Sequence, residues 1–433
     1  MAGLPGPALR ALPILGWRGL RRPHELAVDL RRRYGDVVQF GRGPFTYVYV
    51  FGQQANGEIL GEGHDRFTWR EALRALEPVD GPTALVLTDG EDHKRRRRLV
   101  QPAFATRRID AAVPVIVDEV DGVINHLHVG STVDLYALYR AAVRRIVVRV
   151  LFGSALADHA DRLGAVLEPA IRFVDRPLQL QFKGAPGSRA ARRARREADA
   201  IVDAEIARRR DGGDFGEDVL GMLLQTDLEE AELRDQVVSL IAAGYDTTSA
   251  AVGWAVLELL RDPREWEAIE AEISARLAPD GRAPNADDLR AMPYVSAVVN
   301  ETLRLWPPAP LSGRRATTAF DVAGYTIPAG SIVVFSPFVT GRSGDVWGDD
   351  ADCFRPARWL EQREPQPFSF IPFGGAYRRC LGFALALTEI QVAVTRLVQR
   401  TRLTLMPRPT VRGIGLSALR PEGGVVVRID SLT

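Results

Sequence analysis

Hydrophobic and polar positions follow two different periods along the chain. Near its beginning, Val37–Gly52 alternates aromatic and β-branched residues around a Gly-Pro pair, which predicts a β-hairpin. From Asp89 to about Asp288 the hydrophobic positions recur mainly at helical spacing. Strand-like runs return nearer the end, at Asp321–Ile327, Ser331–Phe335, Leu403–Met406 and Val425–Ile429.

The longest helical pattern begins at Asp227-Leu-Glu-Glu230, where an acidic N-cap is followed three residues later by glutamate, and it continues to Arg261. Its middle part, Val237–Leu260, is apolar on nearly all faces, so this helix is predicted to run buried through the centre of the protein. Two shorter helices are predicted over about Met292–Leu305 and Leu381–Arg400. These patterns predict a mainly α fold with a small β-rich lobe.

The 433 residues are expected to form one intertwined domain, because distant segments supply the strands. The β-rich lobe is predicted from about residues 37–60, 318–337 and 402–430, and the α-rich lobe from about 89–310 and 381–400. Hydrophobic residues make up 46% of the chain and charged residues 26%, which is typical of a soluble globular protein with a large core.

Charge and cysteine content exclude several classes of protein. The formal net charge is +1, from 56 basic and 55 acidic residues, which argues against a nucleic-acid-binding protein. The two cysteines, Cys353 and Cys380, cannot form a disulfide framework, so a reducing cytoplasm is expected. The longest charge-free run, Val322–Gly341, contains prolines and predicts strands and turns, so no transmembrane segment is expected.

The stretch Phe370–Gly382 is a Gly- and Pro-rich turn that presents Cys380 immediately before a predicted helix. A helix N-terminus and neighbouring arginines favour the thiolate, and backbone N–H groups of such a turn tune an iron bound to the sulfur. Gly382 would let a flat macrocycle lie close to the backbone. The alternative is a buried free cysteine in a loop, which is the commoner fate of a lone cysteine.

A second polar cluster, Ala243-Gly-Tyr-Asp-Thr-Thr248, interrupts the long apolar helix. An acid and two β-branched hydroxyl residues next to Gly244 favour a local kink. A buried Asp246 is costly unless it has a partner, so the cluster indicates either a functional site or a satisfied polar kink.

The cysteine stretch resembles the cysteine-ligand loop of the cytochrome P450 family, Phe-x-x-Gly-x-Arg-x-Cys-x-Gly. Phe373, Arg378, Cys380 and Gly382 match this pattern, whereas Ala376 stands where the family usually has glycine. The resemblance implies haem b (iron protoporphyrin IX) as the cofactor, with Cys380 as the thiolate ligand of its iron and Phe373 packed beneath the sulfur.

The helix cluster is similar to the oxygen-binding groove of the same family, Ala/Gly-Gly-x-Asp/Glu-Thr-Thr/Ser. The resemblance implies that Ala243 and Gly244 lie beside the haem, with room for O2, and that Asp246 and Thr247 are the catalytic residues. Adjacent residues on a helix point about 100° apart, so their expected roles differ. Thr247 is expected to face the oxygen, and Asp246 to reach toward a solvent channel.

His93 and Arg97 lie four residues apart, on one face of a predicted helix in an arginine-rich stretch. The residues alone are equally compatible with a basic, solvated helix face. The resemblance implies instead that both bind haem propionates, together with Arg314 and Arg378, and guanidinium groups suit carboxylates geometrically. Arg315 adjoins Arg314, so the choice between them depends on the family spacing alone.

Glu301 and Arg304 lie three residues apart on the helix that ends at Leu305. A surface ion pair is the usual meaning of this spacing. The resemblance implies instead a buried network of these two residues with Arg358, in a structural rather than a catalytic role.

By this resemblance the protein is expected to be a monomeric haem-thiolate monooxygenase that inserts one oxygen atom from O2 into an apolar small molecule, in secondary metabolism. Electrons would come from NAD(P)H through a separate ferredoxin or flavodoxin and its reductase, docking near Arg97 and Arg379. Substrate contacts are expected from Leu240, Ala243, Thr248, Ala309 and Leu311.

Two alternatives remain at this point. A peroxide-driven or isomerising haem-thiolate enzyme would not need an acid–alcohol pair, so Asp246 and Thr247 argue against it. A non-enzymatic haem sensor often carries a transmitter or DNA-binding segment, and the sequence shows none. Terpenoid, steroid, fatty acyl and polyketide substrates are all compatible with apolar walls.

Overall fold

The computed structural model describes residues 3–8, 19, 22–41, 46–61, 63–176, 181, 184–213, 215–277, 281–361, 365–407 and 411–433. The Gly-Pro pair predicted to turn the first hairpin lies outside these ranges. The described chain is mainly α-helical and contains four small sheets.

Most described residues between the two ends of the chain are helical. The longer helices are Pro23–Tyr34, Gln53–Leu60, Gly90–Val100, Thr106–Asn125, Leu135–Ala157, Ala160–Val174, Ser188–Gly212, Glu230–Arg261, Pro263–Leu277, Pro293–Leu305 and Phe383–Arg400. The shorter helices are Arg70–Leu73, Glu77–Asp80, Val219–Leu224, Ala286–Arg290, Pro337–Thr340, Gly344–Trp347 and Arg358–Glu361. Single 3₁₀ turns lie at His64–Arg66, Arg74–Leu76, Leu85–Leu87, Gln101–Phe104 and Ala376–Arg378.

The largest sheet combines the start of the chain with its last third. Its five strands lie in the order Val37–Phe40, Tyr47–Val50, Ile332–Phe335, Ser312–Ala316 and Phe67–Thr68. The second and third strands pair in parallel, and the other neighbours are antiparallel. Two further two-stranded sheets pair Phe320–Val322 with Tyr325–Ile327 and Gly413–Ile414 with Arg420–Pro421.

The strands nearest the C-terminus form a separate sheet. Thr401–Leu405 and Thr132–Asp134 both pair with Val426–Leu432, whereas the sequence pattern grouped the C-terminal strands with residues 37–60. The physical reason is that Val427 and Ile429 are fully buried in the core formed by the helices. This sheet therefore extends the helical part of the protein.

The central helix, Glu230–Arg261, is continuous over 32 residues. Glu229 is its N-cap and forms a capping box with Glu232, so the helix begins slightly later than the acid at position 227 predicted. Most side chains of its second half are buried, as the apolar pattern predicted. The helix thus provides a rigid wall through the middle of the protein.

The central helix packs between Leu135–Ala157 and Phe383–Arg400. Gly244 permits the close approach on the first side, because a Cβ at this position would lie 2.9 Å from Cγ1 of Val147. The helix continues through Gly244 without a break, so the local kink predicted there does not interrupt it. Gly244 therefore allows the central helix to pack closely against Leu135–Ala157.

Glu301, Arg304 and Arg358 form a buried ion network. Arg304 donates hydrogen bonds to both carboxylate oxygens of Glu301, at 2.7 and 2.8 Å, and Arg358 donates to the same carboxylate at 3.0 Å. No member of this network is more than 1% exposed. Arg304 also donates to the backbone carbonyl oxygens of Gly341, Ala351 and Cys353. The network therefore fastens the helix Pro293–Leu305 to the irregular segment that precedes the cysteine stretch.

Glu301→Ala is expected to lower the free energy of unfolding by about 3–5 kcal/mol, because it removes the carboxylate that pairs with the buried Arg304 and one of the two carboxylates that pair with Arg358, the other being Asp350. Urea unfolding followed by circular dichroism measures this loss. The matched control is Glu361→Ala, which removes an exposed pair with Arg355 and should cost about 0–1 kcal/mol. An equally small loss for both variants would contradict the role of the network.

Candidate active site

One cavity of about 740 Å³ lies against the central helix, the cysteine stretch and the five-stranded sheet. It is within the size range of ligand-binding sites, about 300–1,000 Å³. All the residues predicted to contact a cofactor, oxygen or substrate line this cavity, namely His93, Arg97, Leu240, Ala243, Gly244, Asp246, Thr247, Thr248, Ala309, Leu311, Arg314, Phe373, Arg378, Cys380 and Gly382. The buried network of Glu301, Arg304 and Arg358 does not line it.

Cys380 opens to the cavity from a turn that hydrogen bonds hold in place. Its backbone N–H donates to the carbonyl oxygen of Phe373 at 2.9 Å, and the N–H of Arg379 donates to Ala376 at 3.1 Å. Ala376 has φ +48°, in the left-handed region that favours glycine. The residue that departs from the family pattern thus carries backbone strain.

The groups around Cys380 have opposite effects on the pKa of its thiol. Burial raises the pKa of the thiol, whereas the Gly382 amide and the charges of Arg97 and Arg379 lower it. A raised pKa is the opposite of what a nucleophilic cysteine needs. The positive neighbours are suited to hold a thiolate whose proton a metal ion has replaced.

Arg314 is a buried cation that forms no ion pair within the described part of the chain. Its side chain is 2% exposed, and among the described residues it has no carboxylate partner. It donates to the Ser312 hydroxyl and the Gly313 carbonyl oxygen, and its guanidinium lies 3.2 Å from the centre of the Trp69 ring. Burial and the charge of Arg378 lower its pKa well below the ordinary value. A buried guanidinium without an acid is costly unless a ligand supplies the negative charge.

Strand alternation separates Arg314 from its neighbour Arg315. Successive side chains of a strand point to opposite faces, so only one of the two can face the cavity. The side chain of Arg315 is only partly buried, with 40% of it exposed, and it pairs with Glu71 at 2.5 Å. The structure therefore places Arg314, and not Arg315, among the groups that line the cavity.

Three more basic groups line the same cavity. His93 is buried, and its Nδ1 has no hydrogen-bond partner in the described structure. Burial, with the charges of Arg378 and Arg97, lowers the pKa of His93 to about 3, so the imidazole is neutral. Arg378 pairs with Asp89 at 2.8 Å, whereas Arg97 has no carboxylate partner among the described residues. This part of the cavity therefore has an excess of positive charge.

Thr247 and Asp246 lie on the central helix. The Thr247 hydroxyl donates to the Ala243 carbonyl oxygen at 2.7 Å. One oxygen of the buried Asp246 accepts from Nε of Arg140 at 2.8 Å, and Oδ2 has no partner in the described structure. Burial raises the pKa of Asp246, and the charge of Arg140 opposes that shift.

A chain of ion pairs connects Asp246 with the surface. Arg140 also donates to Glu168 at 3.0 Å, and Arg172 donates to the other oxygen of Glu168 at 2.8 Å. Arg172 is 76% exposed, so polar groups follow one another from the cavity wall to solvent. The structure thus places Asp246 at the inner end of a polar path.

Sequence reasoning missed several residues of the cavity and its surroundings. Arg140, Glu168 and Trp69 carry no motif that would distinguish them. Glu389, however, is an acid in the middle of an apolar helix, and that signal was available. Neither of its carboxyl oxygens has a hydrogen-bond partner in the described structure, and burial raises its pKa well above the ordinary value, opposed by the nearby Thr248 hydroxyl. Burial therefore favours the protonated form of the Glu389 carboxyl group.

Comparison with known proteins identifies the class to which this fold and site belong. Residues 4–424 match the family model for cytochrome P450, so the chain belongs to the cytochrome P450 family. Among curated proteins it is 39% identical over 421 residues to cytochrome P450 139 of Mycobacterium tuberculosis, covering 94% of this chain and 97% of that protein. The chain is accordingly a cytochrome P450 monooxygenase.

Two Streptomyces proteins and one solved structure are also similar. The chain is 32% identical over 429 residues to cyclooctat-9-en-7-ol 5-monooxygenase of Streptomyces melanosporofaciens, covering 94% of this chain and 91% of that one. It is 29% identical over 446 residues to pentalenene oxygenase of Streptomyces avermitilis, with 99% and 98% covered. The retinoic acid-bound cyanobacterial CYP120A1 superimposes with a TM-score of 0.86 at 25% identity, covering 99% of both chains.

The family carries haem, and the residues of this cavity fit that group. Haem brings two carboxylates and an iron. Within the described ranges, the cavity offers two guanidinium groups without carboxylate partners, a buried imidazole nitrogen without a partner and a thiol. In the ranges that the structure describes, no helix is long and apolar enough to cross a membrane.

Arg314→Met is expected to stabilise the haem-free protein by about 1–3 kcal/mol, because an uncompensated buried charge is replaced by an apolar chain of similar length. The same change should weaken haem binding at least about tenfold, because a charge-assisted contact is lost. Urea unfolding of the apoprotein and haem titration measure the two effects. Arg315→Met is the control and should change neither; equal effects of both substitutions would contradict the assignment.

Proposed function

We propose that this monooxygenase inserts one oxygen atom from O2 into an apolar, cyclic, terpenoid-like molecule of secondary metabolism. The proposal is based on the composition of the cavity. A single cavity combines the Cys380 thiol, the guanidinium groups of Arg97 and Arg314, the Asp246–Thr247 pair and apolar walls. The thiol and the cations suit the haem, whereas the acid–alcohol pair suits the delivery of protons.

The haem-binding residues are proposed to divide into two groups. Cys380 holds the iron through its sulfur, and the Gly382 amide together with Arg97 and Arg379 stabilises the thiolate. Arg314 and Arg97 neutralise the propionates, with hydrogen bonds from His93 and Arg378. The haem supplies the redox chemistry that reduces O2 and oxidises a C–H bond.

Thr247 is proposed to orient water in the cavity. Its hydroxyl proton is committed to the Ala243 carbonyl oxygen, so its lone pairs are left to accept a hydrogen bond. A water held there is in place to pass on a proton without flooding the apolar part of the cavity. Thr247 thus acts as an acceptor that fixes the last member of a proton path.

Asp246 is proposed to move protons between the surface and the cavity. Its free Oδ2 and raised pKa allow the carboxyl group to carry a proton transiently. Arg140 contacts both Asp246 and the partly exposed Glu168, so a shift of this guanidinium toward Glu168 would release Asp246. Proton uptake is therefore coupled to one ion pair.

The substrate class is inferred from the walls and from the relatives. The cavity lining is predominantly apolar, with contributions from Leu76, Val79, Val86, Leu240, Ala309 and Leu311. The names of the two Streptomyces relatives denote oxygenation of a cyclic alkenol and of pentalenene. An apolar cyclic skeleton is therefore the substrate class that both lines of reasoning favour.

Electrons are proposed to come from NAD(P)H through a separate ferredoxin or flavodoxin and its reductase. Arg379 is exposed next to the cysteine ligand, and Arg98 is exposed one residue after Arg97. An acidic partner that docks on these arginines would approach the haem on the side of its thiolate ligand.

Cys380→Ser is expected to abolish the strongly red-shifted Soret band that thiolate ligation gives the ferrous–CO form, because an alcohol does not replace the sulfur. Cys353→Ser is the matched control and should keep the band, since Cys353 does not line the cavity. Difference spectroscopy of purified protein measures both. Loss of the band in the control alone would show that the ligand is assigned to the wrong cysteine.

Thr247→Ala is expected to bind haem and substrate normally and to consume reductant, while several-fold more of the electron flux appears as hydrogen peroxide, because the water is no longer oriented. Parallel assays of product, peroxide and NAD(P)H measure the distribution. Thr247→Ser restores the hydroxyl and should restore coupling. An unchanged product yield per electron in the alanine variant would contradict this role.

Asp246→Asn is expected to slow turnover about 100-fold while leaving the substrate-binding spectrum intact, because the amide cannot relay a proton. A larger solvent deuterium isotope effect on turnover is expected in the variant. Single-turnover kinetics in H2O and D2O measure both quantities. Full activity with peroxide as oxidant and no activity with reductant in the parent protein would favour a peroxide-driven enzyme instead.

A further inference from the structure

Asp80 is a carboxylic acid on the wall of the same cavity, and the proposed oxygen chemistry does not use it. It ends the short helix Glu77–Asp80, its side chain is 6% exposed, and it faces the cavity together with Ser239. A buried carboxyl group with no cation of its own is unfavourable in an apolar wall unless a ligand uses it.

Arg195, whose charge acts on Asp80, is hydrogen-bonded to other groups. All three nitrogens of the Arg195 guanidinium have other partners: Nε donates to Asp199, and the remaining two donate to Asp235 and to the carbonyl oxygen of Val79. Arg195 therefore fixes the backbone beside Asp80 but does not form an ion pair with it. The positive charge of Arg195 therefore stabilises the segment that carries Asp80 and does not neutralise the Asp80 carboxyl group.

A second set of contacts fixes this segment to the central helix. Asp235 accepts hydrogen bonds from the backbone N–H and the hydroxyl of Thr83, at 2.9 and 2.7 Å. Gln236 accepts from the Leu85 N–H at 3.0 Å and donates to the Thr83 carbonyl oxygen at 2.8 Å. Asp80 is thus held in place on the cavity wall before any ligand binds, which is how a recognition group lowers the cost of binding.

Ser239 supplies the second polar group. It lies on the central helix and lines the cavity together with Asp80, and its hydroxyl lowers the pKa of Asp80. Thr247 lines the same cavity eight residues further along that helix. At 1.5 Å per residue, the two positions lie about 12 Å apart along the helix axis. A polar group bound at Asp80 would therefore be separated from the oxidised carbon by roughly the length of a fused-ring skeleton.

We propose that Asp80 and Ser239 bind a hydroxyl group at the end of the apolar substrate that is remote from the carbon to be oxidised. The inference rests on the proposed function and narrows it, since the substrate would be an alcohol rather than a bare hydrocarbon. The carboxyl and the serine hydroxyl can donate to and accept from a single alcohol.

The protonation of Asp80 is compatible with binding an alcohol. Burial and the neighbouring Asp235 raise the pKa of Asp80 to about 7, while Arg195 and the Ser239 hydroxyl oppose the shift. A substantial fraction of the group is then neutral at physiological pH. A neutral acid pairs well with a hydroxyl, whereas a permanently cationic ligand would lose its hydration in the apolar cavity.

The test compares three ligands of one skeleton: 5α-androstane, 5α-androstan-3β-ol and 3β-amino-5α-androstane. Binding to the haem-loaded protein is measured by the shift of the Soret band and by equilibrium dialysis. The parent protein should bind the alcohol at least about tenfold more tightly than the hydrocarbon. Tighter binding of the amine than of the alcohol, or equal binding of alcohol and hydrocarbon, would overturn the proposal.

Substitutions in the cavity wall test which residues cause the preference for the alcohol. Asp80→Leu and Ser239→Ala should remove most of the preference for the alcohol and leave hydrocarbon binding unchanged, and Asp80→Asn should retain part of it. Ser417→Ala is the matched control, because this cavity-lining hydroxyl is already committed to Asp175 and should not affect the preference. If Asp80→Leu weakened the binding of the alcohol and of the hydrocarbon equally, Asp80 would contribute only to the shape of the cavity and not to recognition of the hydroxyl.

Two readouts separate this proposal from the function on which it rests. Haem content and the ferrous–CO spectrum, recorded on the same samples, report on the haem-thiolate site independently of alcohol recognition. Asp80→Leu should also unfold at an equal or higher temperature than the parent, because a buried acid without a counter-ion is removed. A marked fall in unfolding temperature would assign Asp80 to the stability of the fold instead.

Discussion

The structure depends on an excess of positive charge that the protein does not neutralise itself. Arg314 is buried against Trp69 with no carboxylate partner in the described structure, and Arg97 faces the same cavity without one. Such an arrangement is unfavourable in the isolated chain, so a dianionic ligand contributes stability as well as chemistry. The five-stranded sheet, the Trp69 segment and the cysteine turn all serve to present this charge beside one thiol.

Three of the acids that line the cavity have raised pKa values. Burial raises the pKa values of Asp80, Asp246 and Glu389, so these carboxyl groups carry protons more readily than exposed ones. The central helix provides Asp246 itself and holds the Asp80 segment through Asp235. One rigid helix therefore sets the distance between proton delivery and the proposed recognition of the substrate, while the Glu301 network keeps the segment before the cysteine stretch in place.

Much of this arrangement could be predicted from the sequence. The helical period located Pro293–Leu305 and Phe383–Arg400 to within two residues, because burial of one face determines the spacing of apolar positions. Contacts between distant residues could not be predicted in the same way. Arg140 lies 106 residues before Asp246, and nothing local marks it as the partner. Burial, which the sequence does not show, distinguishes Arg314 from Arg315, and core packing decides that the C-terminal strands pair with Thr132–Asp134.

The central claim is that the cavity binds a dianion through guanidinium groups that have no carboxylate partner among the residues the structure describes. The most direct measurement is the affinity of the apoprotein for protohaem compared with its dimethyl ester, which keeps the ring and the iron but lacks both negative charges. If the account is right, protohaem binds at least about a hundredfold more tightly, the equivalent of two charge-assisted contacts, and high salt reduces the difference only slightly because the site is buried. Equal affinities for the two compounds would contradict it.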